Sequence, residues 1–412
     1  MSLVIKKFGG TSVANIERIE SVADKIFQFY KQKQQVVVVV SAMKGETDRL
    51  ENLAYQISDN PDPREMAAML ATGEQLVISL LAMALIKRGC PARSYTGLQL
   101  GIETEGVATK ARIKNINTVN IHNDLQQGIV VVVAGFQGVD SDDGMVTTLG
   151  RGGSDTTAVA LSIALQATEC HIYTDVDGVY TADPNLVPNA KRLDSIHFSE
   201  MLELAGLGAK VMQIRAVELG SYYNLPTRVL SSFKTQDDNG TLIYADNNLK
   251  NLQYSQVVKM ATLVGQIKIC LTNIKQNNFE FILQSFANLQ IEIDMLSGCF
   301  NGYHDDHQIS FVISNKYLEK CKAIFTTADI PVASINYLPV SKLSLVGLGL
   351  SSNPEIINKI YAFLSKVNIM VQQIITSEIK VSVLLNEIDL ELAMKVLHTA
   401  FLAEILDSTR CV

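Results

Sequence analysis

Ile129-Val130-Val131-Val132-Val133-Ala134-Gly135-Phe136-Gln137-Gly138 and, after an acidic turn, Thr147-Thr148-Leu149-Gly150-Arg151-Gly152-Gly153-Ser154-Asp155 form the stretch from which the fold is read. The run of β-branched residues specifies a buried strand. The Gly-Arg-Gly-Gly-Ser-Asp segment ahead of Thr156 to Ala167 specifies a loop that delivers a helix N-terminus. Such a junction suits an anion, because bare N–H groups and the positive end of the helix dipole point at it and glycines let a phosphate approach the main chain. Arg151 adds a fork-shaped donor for a carboxylate or phosphate, and Asp155 in the first turn can cap the helix or orient a lysine. A plain strand-turn-helix connection accounts for the same residues, and both readings stay open on this stretch alone.

Working outward, the same unit recurs. Ser2 to Phe8 alternates into a short strand carrying Lys7 near its end, and Gly9-Gly10-Thr11-Ser12 opens a helical pattern from Ile16 to Tyr30. The lysine precedes the glycines, unlike the order of a P-loop. Val36 to Val40 is a third strand, followed by Ser41 to Asp48 with its small and hydroxyl residues, Ser41 and Thr47 among them. Glu65 to Arg88 is a long helical pattern interrupted by Thr72-Gly73-Glu74. Glu74 reads either as a solvated helix carboxylate or, given the bend Gly73 permits, as a carboxylate turned into a cleft to meet an ammonium group. Alternation continues through Ala92 to Tyr95, Thr118 to Gln127 and Glu169 to Tyr173, after which Thr174 to Pro184 is a structured loop of Asp-Gly and Asp-Pro steps. Thr227 to Ser231 reads as the last strand of this part. This pattern predicts an α/β fold with a largely parallel central sheet flanked by helices, its ligands gathering at the strands' C-terminal edge.

Past a polar linker the texture changes to two units of similar length, each in the order βαββαβ. Ile282 to Leu296 matches Ile360 to Ile374 at a constant offset. The repeat predicts two ferredoxin-like modules. The expected division is residues 1–245 for the catalytic domain, 246–261 for a linker, and 262–339 and 340–412 for the two modules.

With 412 residues, 47% of them hydrophobic and 19% charged, the chain is long enough for two or three well-packed domains. A net charge of −7 and a pI near 5.5, without a Lys/Arg-rich block, argue against nucleic acid as partner. Val36 to Val40 is far too short to span a bilayer and no signal-peptide core opens the chain, so a cytoplasmic protein without a membrane partner is expected. Six scattered cysteines show no metal-binding or redox spacing. His304-Asp305-Asp306-His307 invites a metal reading, but a polar hairpin loop explains it as well, and no metal ligand set is assigned.

Two lysines, Lys7 and Lys210, two glycine loops, Arg151 and Glu74 make a set suited to phosphoryl transfer, whose transition state is held by position and charge. A carboxylate acceptor is already ionised at neutral pH and needs no general base. Lys7-Phe8-Gly9-Gly10-Thr11-Ser12, Leu149 to Ala158, Thr174 to Pro184 and Gly208-Ala209-Lys210 together resemble the aspartokinases of the amino acid kinase family. The resemblance spans essentially the whole chain and keeps the family's motif order.

The resemblance implies an amino acid kinase fold followed by paired ACT modules. It implies ATP-dependent phosphorylation of the β-carboxylate of L-aspartate to 4-phospho-L-aspartate, the first step of lysine, threonine and methionine biosynthesis. Carried over residue by residue, Lys7 resembles the lysine bridging the transferred phosphoryl group, and the amides of Gly9 and Gly10 those lining the phosphates. Asp155 resembles the aspartate that orients the active-site lysines. Arg151 is similar to the arginine gripping the substrate α-carboxylate, with Gly152 beside it, and Glu74 to the glutamate receiving the α-ammonium group. Ser41 and Thr47 match substrate-loop hydroxyls. Thr174, Asp175, Tyr180 and Asp183 match the nucleotide loop, and Lys210 the lysine near the nucleotide phosphates. Asn185 stands where many relatives carry an arginine. Mg²⁺ is implied as the nucleotide's companion, an amino-acid effector such as lysine or threonine at the ACT modules, and a homo-oligomer through those modules. The rival readings are a kinase with a glutamate-type acceptor and an inactive amino-acid-binding regulatory subunit.

Overall fold

The computed structural model describes residues 3–208, 211–234, 238–245, 258–299, 307–347, 350 and 355–408. They fall into two compact units, Met1–Tyr180 with Arg192–Leu252, and Thr181–Lys191 with Gln253–Val412.

The first unit opens with β1 (Val4–Phe8), α1 (Ile16–Lys31), β2 (Val36–Val40), α2 (Glu46–Ile57), α3 (Pro63–Leu70) and α4 (Thr72–Lys87). It continues through β3 (Ala92–Tyr95), α5 (Gly97–Leu100), β4 (Ile102–Glu105), β5 (Arg112–Ile116), α6 (Val119–Gln126) and β6 (Val130–Ala134). Then come β7 (Gln137–Asp140), β8 (Val146–Thr148), α7 (Gly153–Ala164), β9 (Glu169–Thr174), β10 (Ser195–His197), α8 (Phe198–Gly206), α9 (Ile214–Tyr222), β11 (Thr227–Ser231) and β12 (Thr241–Tyr244).

The main sheet has eight strands in the order β10-β12-β11-β9-β1-β2-β6-β3, and every pairing but β11 with β12 is parallel. The five valines of β2 are all buried, as a strand between two parallel neighbours and two helical layers requires. Parallel pairing puts the ends of β1, β2, β6 and β9 at one edge, so the loops after Phe8, Val40, Ala134 and Thr174 share it. β12 corrects the reading of Thr227 to Ser231 as the last strand. Its four residues, Thr-Leu-Ile-Tyr, come directly after the Asp238 to Gly240 turn and pair back antiparallel.

A second sheet of four short strands, β5-β4-β7-β8, was not anticipated. Its strands run to five residues at most, too few for a periodic signal, and the acidic turn between β7 and β8 masked them. The long helical pattern divides at Ala71 into α3 and α4. Asp62 caps α3 by accepting from the Arg64 and Glu65 amides, and Pro63 occupies its first turn. At Gly73 a Cβ would stand 2.8 Å from that of Ala42, so glycine lets the start of α4 press against the loop after β2.

Among the described residues the second unit is one six-stranded antiparallel sheet, β14-β15-β13-β16-β18-β17, with four α-helices. Its elements are β13 (Lys259–Ile274), α10 (Gln276–Asn288), β14 (Asp294–Cys299), β15 (His307–Ser314), α11 (Leu318–Thr327), β16 (Ile335–Val346), α12 (Glu355–Lys366), β17 (Gln373–Ser377), β18 (Lys380–Leu385) and α13 (Leu390–Ser408). Two of its hydrophobic cores follow the internal repeat. Ile282, Phe286 and Ile291 are buried in one, Ile360, Leu364 and Ile369 in the other. Gln290 and Asn368 adopt left-handed φ values of 51° and 59° at the same offset, turning the chain after equivalent helices.

The borders differ from expectation in two places. β13 begins at Lys259, inside the expected linker, and its register with β16 breaks between Leu263 and Gln266. Lys259 to Leu263 pairs with the second half of β16 and Met260 packs in the second core, so each long strand serves both modules. Residues 181–191, expected in the catalytic domain, also belong to this unit. Ala182 and Val187 are buried with Met260 and Leu345, and the Thr181 hydroxyl lies 2.9 Å from Nε2 of His398. A segment with its apolar side chains in one core folds with that core, wherever it stands in sequence. Of the acidic-histidine cluster, residues 304–306 lie outside the described residues.

Candidate active site

A cavity of about 650 Å³ opens at the C-terminal edge of the main sheet. Its lining includes Lys7, Gly10, Ser41, Thr47, Glu74, Arg151 and Gly152, drawn from four separate segments of sequence.

Lys7, at the end of β1, and Asp155, in the first turn of α7, meet at 2.6 Å with both side chains nearly buried. The Asp155 carboxylate also accepts the Gln213 amide at 3.2 Å, so one acidic group holds the lysine and ties α7 to the segment before α9. A Cβ on Gly9 would come 3.4 Å from the Lys7 nitrogen, and one on Gly10 would stand 3.0 Å from the Ala42 carbonyl. Glycine therefore leaves room around the lysine. The Gly9 amide, expected to face a phosphate, donates instead to the Tyr173 carbonyl at 3.1 Å, because the parallel ladder of β1 and β9 runs on by one residue. Among the two glycines only Gly10 lines the cavity.

Glu74 is buried at the start of α4. One oxygen accepts the Ala42 amide at 2.9 Å, and the other has no partner among the described residues. Burial pushes its carboxyl up to about 7, only partly offset by the Ala42 hydrogen bond. A buried acid in the wall of a cavity, with one oxygen unpartnered among the described residues, fits an ammonium group.

Arg151 is exposed at the cavity rim. One terminal nitrogen donates to Asp48 at 2.8 Å and Glu51 at 3.0 Å, both on α2 and both lining the cavity. The sequence reading missed these two carboxylates. Their three-residue spacing on a helix face was the available signal. Gly152 caps α7 at φ 73°, and a Cβ there would meet the Gln213 side chain at 2.6 Å. Gly152→Ala is expected to destabilise the protein by about 2 kcal/mol, since a left-handed Ala alone costs about 1–2 kcal/mol. Denaturant unfolding measures this, and an unchanged midpoint would show that the loop relaxes freely.

Thr174, Asp175 and Tyr180 do not line this cavity. Thr174 ends β9 and the other two lie on the segment after it; the Thr174 hydroxyl donates to Asp175 at 3.1 Å and the Tyr180 hydroxyl to Asp177 at 2.8 Å. Asp177 also binds Lys234 at 2.9 Å, and Asp238 joins the cluster through Lys234 at 2.7 Å and Arg192 at 2.6 Å. Hydrogen bonds from Lys234 and Arg192 hold the Asp238 carboxyl well below the usual carboxylate range. This network, also missed, braces the segment with pairs far apart in sequence. Asp183, grouped with Tyr180 from the sequence, falls in the other compact unit, where its carboxylate accepts from the backbone and side chain of Asn185 at 2.9 and 3.0 Å. Lys210 lies outside the described residues.

The profile of the Amino acid kinase family matches residues 2–231 and that of the ACT domain residues 343–401. The aspartokinase of Pseudomonas aeruginosa is 49% identical, over 97% of this chain and 98% of its own. The crystal structure of aspartate kinase from Synechocystis is 37% identical, with a TM-score of 0.54, over 97% of this chain and 69% of that one. E. coli aspartokinase III, solved in complex with aspartate and ADP, shares the fold at 22% identity and a TM-score of 0.75, over 96% of this chain and 99% of that one. A kinase profile spanning more than half of the residues, together with near-complete alignment to a relative almost half identical, places this chain in the amino acid kinase family, among the aspartokinases.

Proposed function

We propose that the chain transfers the γ-phosphoryl group of ATP to the β-carboxylate of L-aspartate, and does so in the cytoplasm. The observation that carries this is the charge pattern of one cavity: Glu74, with a buried oxygen unpartnered among the described residues, for an ammonium group, Arg151 for an α-carboxylate, and Lys7 for the phosphoryl group in transit. Aspartate presents those charges on a compact frame. Its β-carboxylate oxygen attacks the γ-phosphorus while the bond to the β-phosphate bridging oxygen breaks and ADP leaves. No proton need be removed from the acceptor, and Lys7 offsets the charge on the phosphoryl oxygens. Ser41 and Thr47 supply hydroxyls at the acceptor end.

Thr174, Asp175 and Tyr180 are proposed to hold adenine and ribose, and Lys210 the phosphates. Mg²⁺ would arrive on the nucleotide. Among the described residues no group of three or more His, Cys, Asp or Glu is placed to hold an ion, and no step is assigned through it. The second unit is proposed to bind an effector amino acid, lysine or threonine, and to pair with a second copy through its sheet edges, β14 and β17. E. coli aspartokinase III has been solved with lysine and aspartate in its T-state, which supports lysine.

A hydroxamate assay comparing aspartate with glutamate as acceptor tests the reading, and absence of signal with aspartate would sink it. Arg151→Ala is expected to raise the KM for aspartate at least tenfold, since a hydrogen-bonded charge pair contributes about 1.5–3 kcal/mol. An unchanged KM would remove Arg151 from the acceptor end.

A further inference from the structure

Besides Glu74, one other side chain in the wall of this cavity carries a buried polar atom without a partner among the described residues. It is Thr148, the last residue of β8, fully buried, with its hydroxyl oxygen unpaired. Strand alternation explains its direction. The Thr147 hydroxyl meets that of Thr104 at 2.6 Å on one face, which turns Thr148 to the opposite face, and Thr148 is among the residues lining the cavity. Its backbone is held on both sides, the amide donating to Ala108 at 2.7 Å and the carbonyl accepting from Ala111 at 2.9 Å. The side chain therefore projects from a fixed point, three residues before Arg151.

A buried hydroxyl left without a hydrogen-bond partner costs about 1–3 kcal/mol, and valine would fill the same volume without that cost. Glu74 shows the same condition in the same cavity, a polar atom kept unpaired where a charged ligand would pair it. We propose that Thr148 is a further acceptor-binding residue, whose hydroxyl hydrogen-bonds the amino-acid substrate when it fills the cavity. The assignment rests on reading this cavity as the acceptor site. A hydroxyl can donate to a substrate carboxylate or accept from its ammonium group, so it suits a zwitterion in either orientation.

The test is steady-state kinetics and thermal melting of the full chain carrying Thr148→Val or Thr148→Ser. With Val, the KM for aspartate rises about tenfold or more, the worth of one hydrogen bond to a charged group, while the KM for ATP is unchanged. The melting temperature of the ligand-free Val variant equals or exceeds the parent's, because an unpaired polar atom has been removed, and its upward shift on adding aspartate shrinks. Ser restores the KM to within about threefold. A purely structural threonine gives the reverse, with melting lowered in the Val variant and the KM for aspartate within twofold of the parent, and that result overturns the proposal. A Ser variant as impaired as the Val variant overturns it too. If the parent itself gives no product from aspartate, the acceptor reading fails first and takes this assignment with it.

Discussion

Lys7→Ala is expected to lower kcat by about a thousandfold while raising the KM for aspartate by less than about fivefold. Removing one preorganised donor from a charge-developing transition state costs about a hundred- to a thousandfold, and here the donor is a full cation in a nearly buried site. Because Lys7 already sits 2.6 Å from Asp155, its position is set before substrate arrives and little of its binding energy is spent on orienting it. The acceptor's own charges are matched by Glu74 and Arg151, so ground-state binding depends less on the lysine. The substitution also strands Asp155, and losing one member of a buried pair costs about 3–5 kcal/mol of stability. Single-turnover rates are therefore to be read beside aspartate-induced thermal shifts, which report binding in the folded fraction. Equal losses in turnover and aspartate affinity would contradict the assignment.

Glu74→Gln is expected to abolish measurable aspartate binding and, at pH 8, to stabilise the empty protein. In the folded state burial raises the Glu74 carboxyl from an ordinary 4.5 to about 7. Between those two values the folded chain binds more protons than the unfolded one, so stability falls as pH rises and the cost is complete above pH 7. A difference of this size corresponds to about 3 kcal/mol. Gln removes the charge and with it that cost. The parent's stability should thus decline from pH 5 to pH 8 more steeply than the variant's, measured by denaturant unfolding at each pH. Function runs the opposite way. The carboxylate form receives the ammonium group, so the parent's KM for aspartate should fall as pH rises through 7. A flat KM profile between pH 6 and 8 would show that Glu74 is ionised before substrate binds.

Much of the site is legible because its parts are local. Lys7 with Gly9-Gly10, and Gly150 to Asp155, are short strand-to-helix junctions whose residue types announce an anion. Glu74 could be singled out, since Gly73 breaks a helical pattern beside it. Partners could not be read. Nothing local says that Arg151 meets Asp48 and Glu51 about a hundred residues earlier, or that the Gly9 amide is taken up by Tyr173. The repeat in the second unit was visible as matched apolar positions, yet its strands are exchanged between modules, because β13 and β16 are long enough to pair across both.

By itself the sequence determined the alternation of strand, glycine loop and helix, the inventory of charges at the strand ends and the doubling of the C-terminal module. These follow from hydrophobic period and residue type within a few positions. Only the tertiary structure decided that Glu74 and Thr148 each keep a buried oxygen without a partner among the described residues, and that residues 181–191 fold with the second unit. Burial and pairing belong to the packed whole. A carboxyl titrates near 7 because of what surrounds it in space, and no stretch of chain carries that information alone.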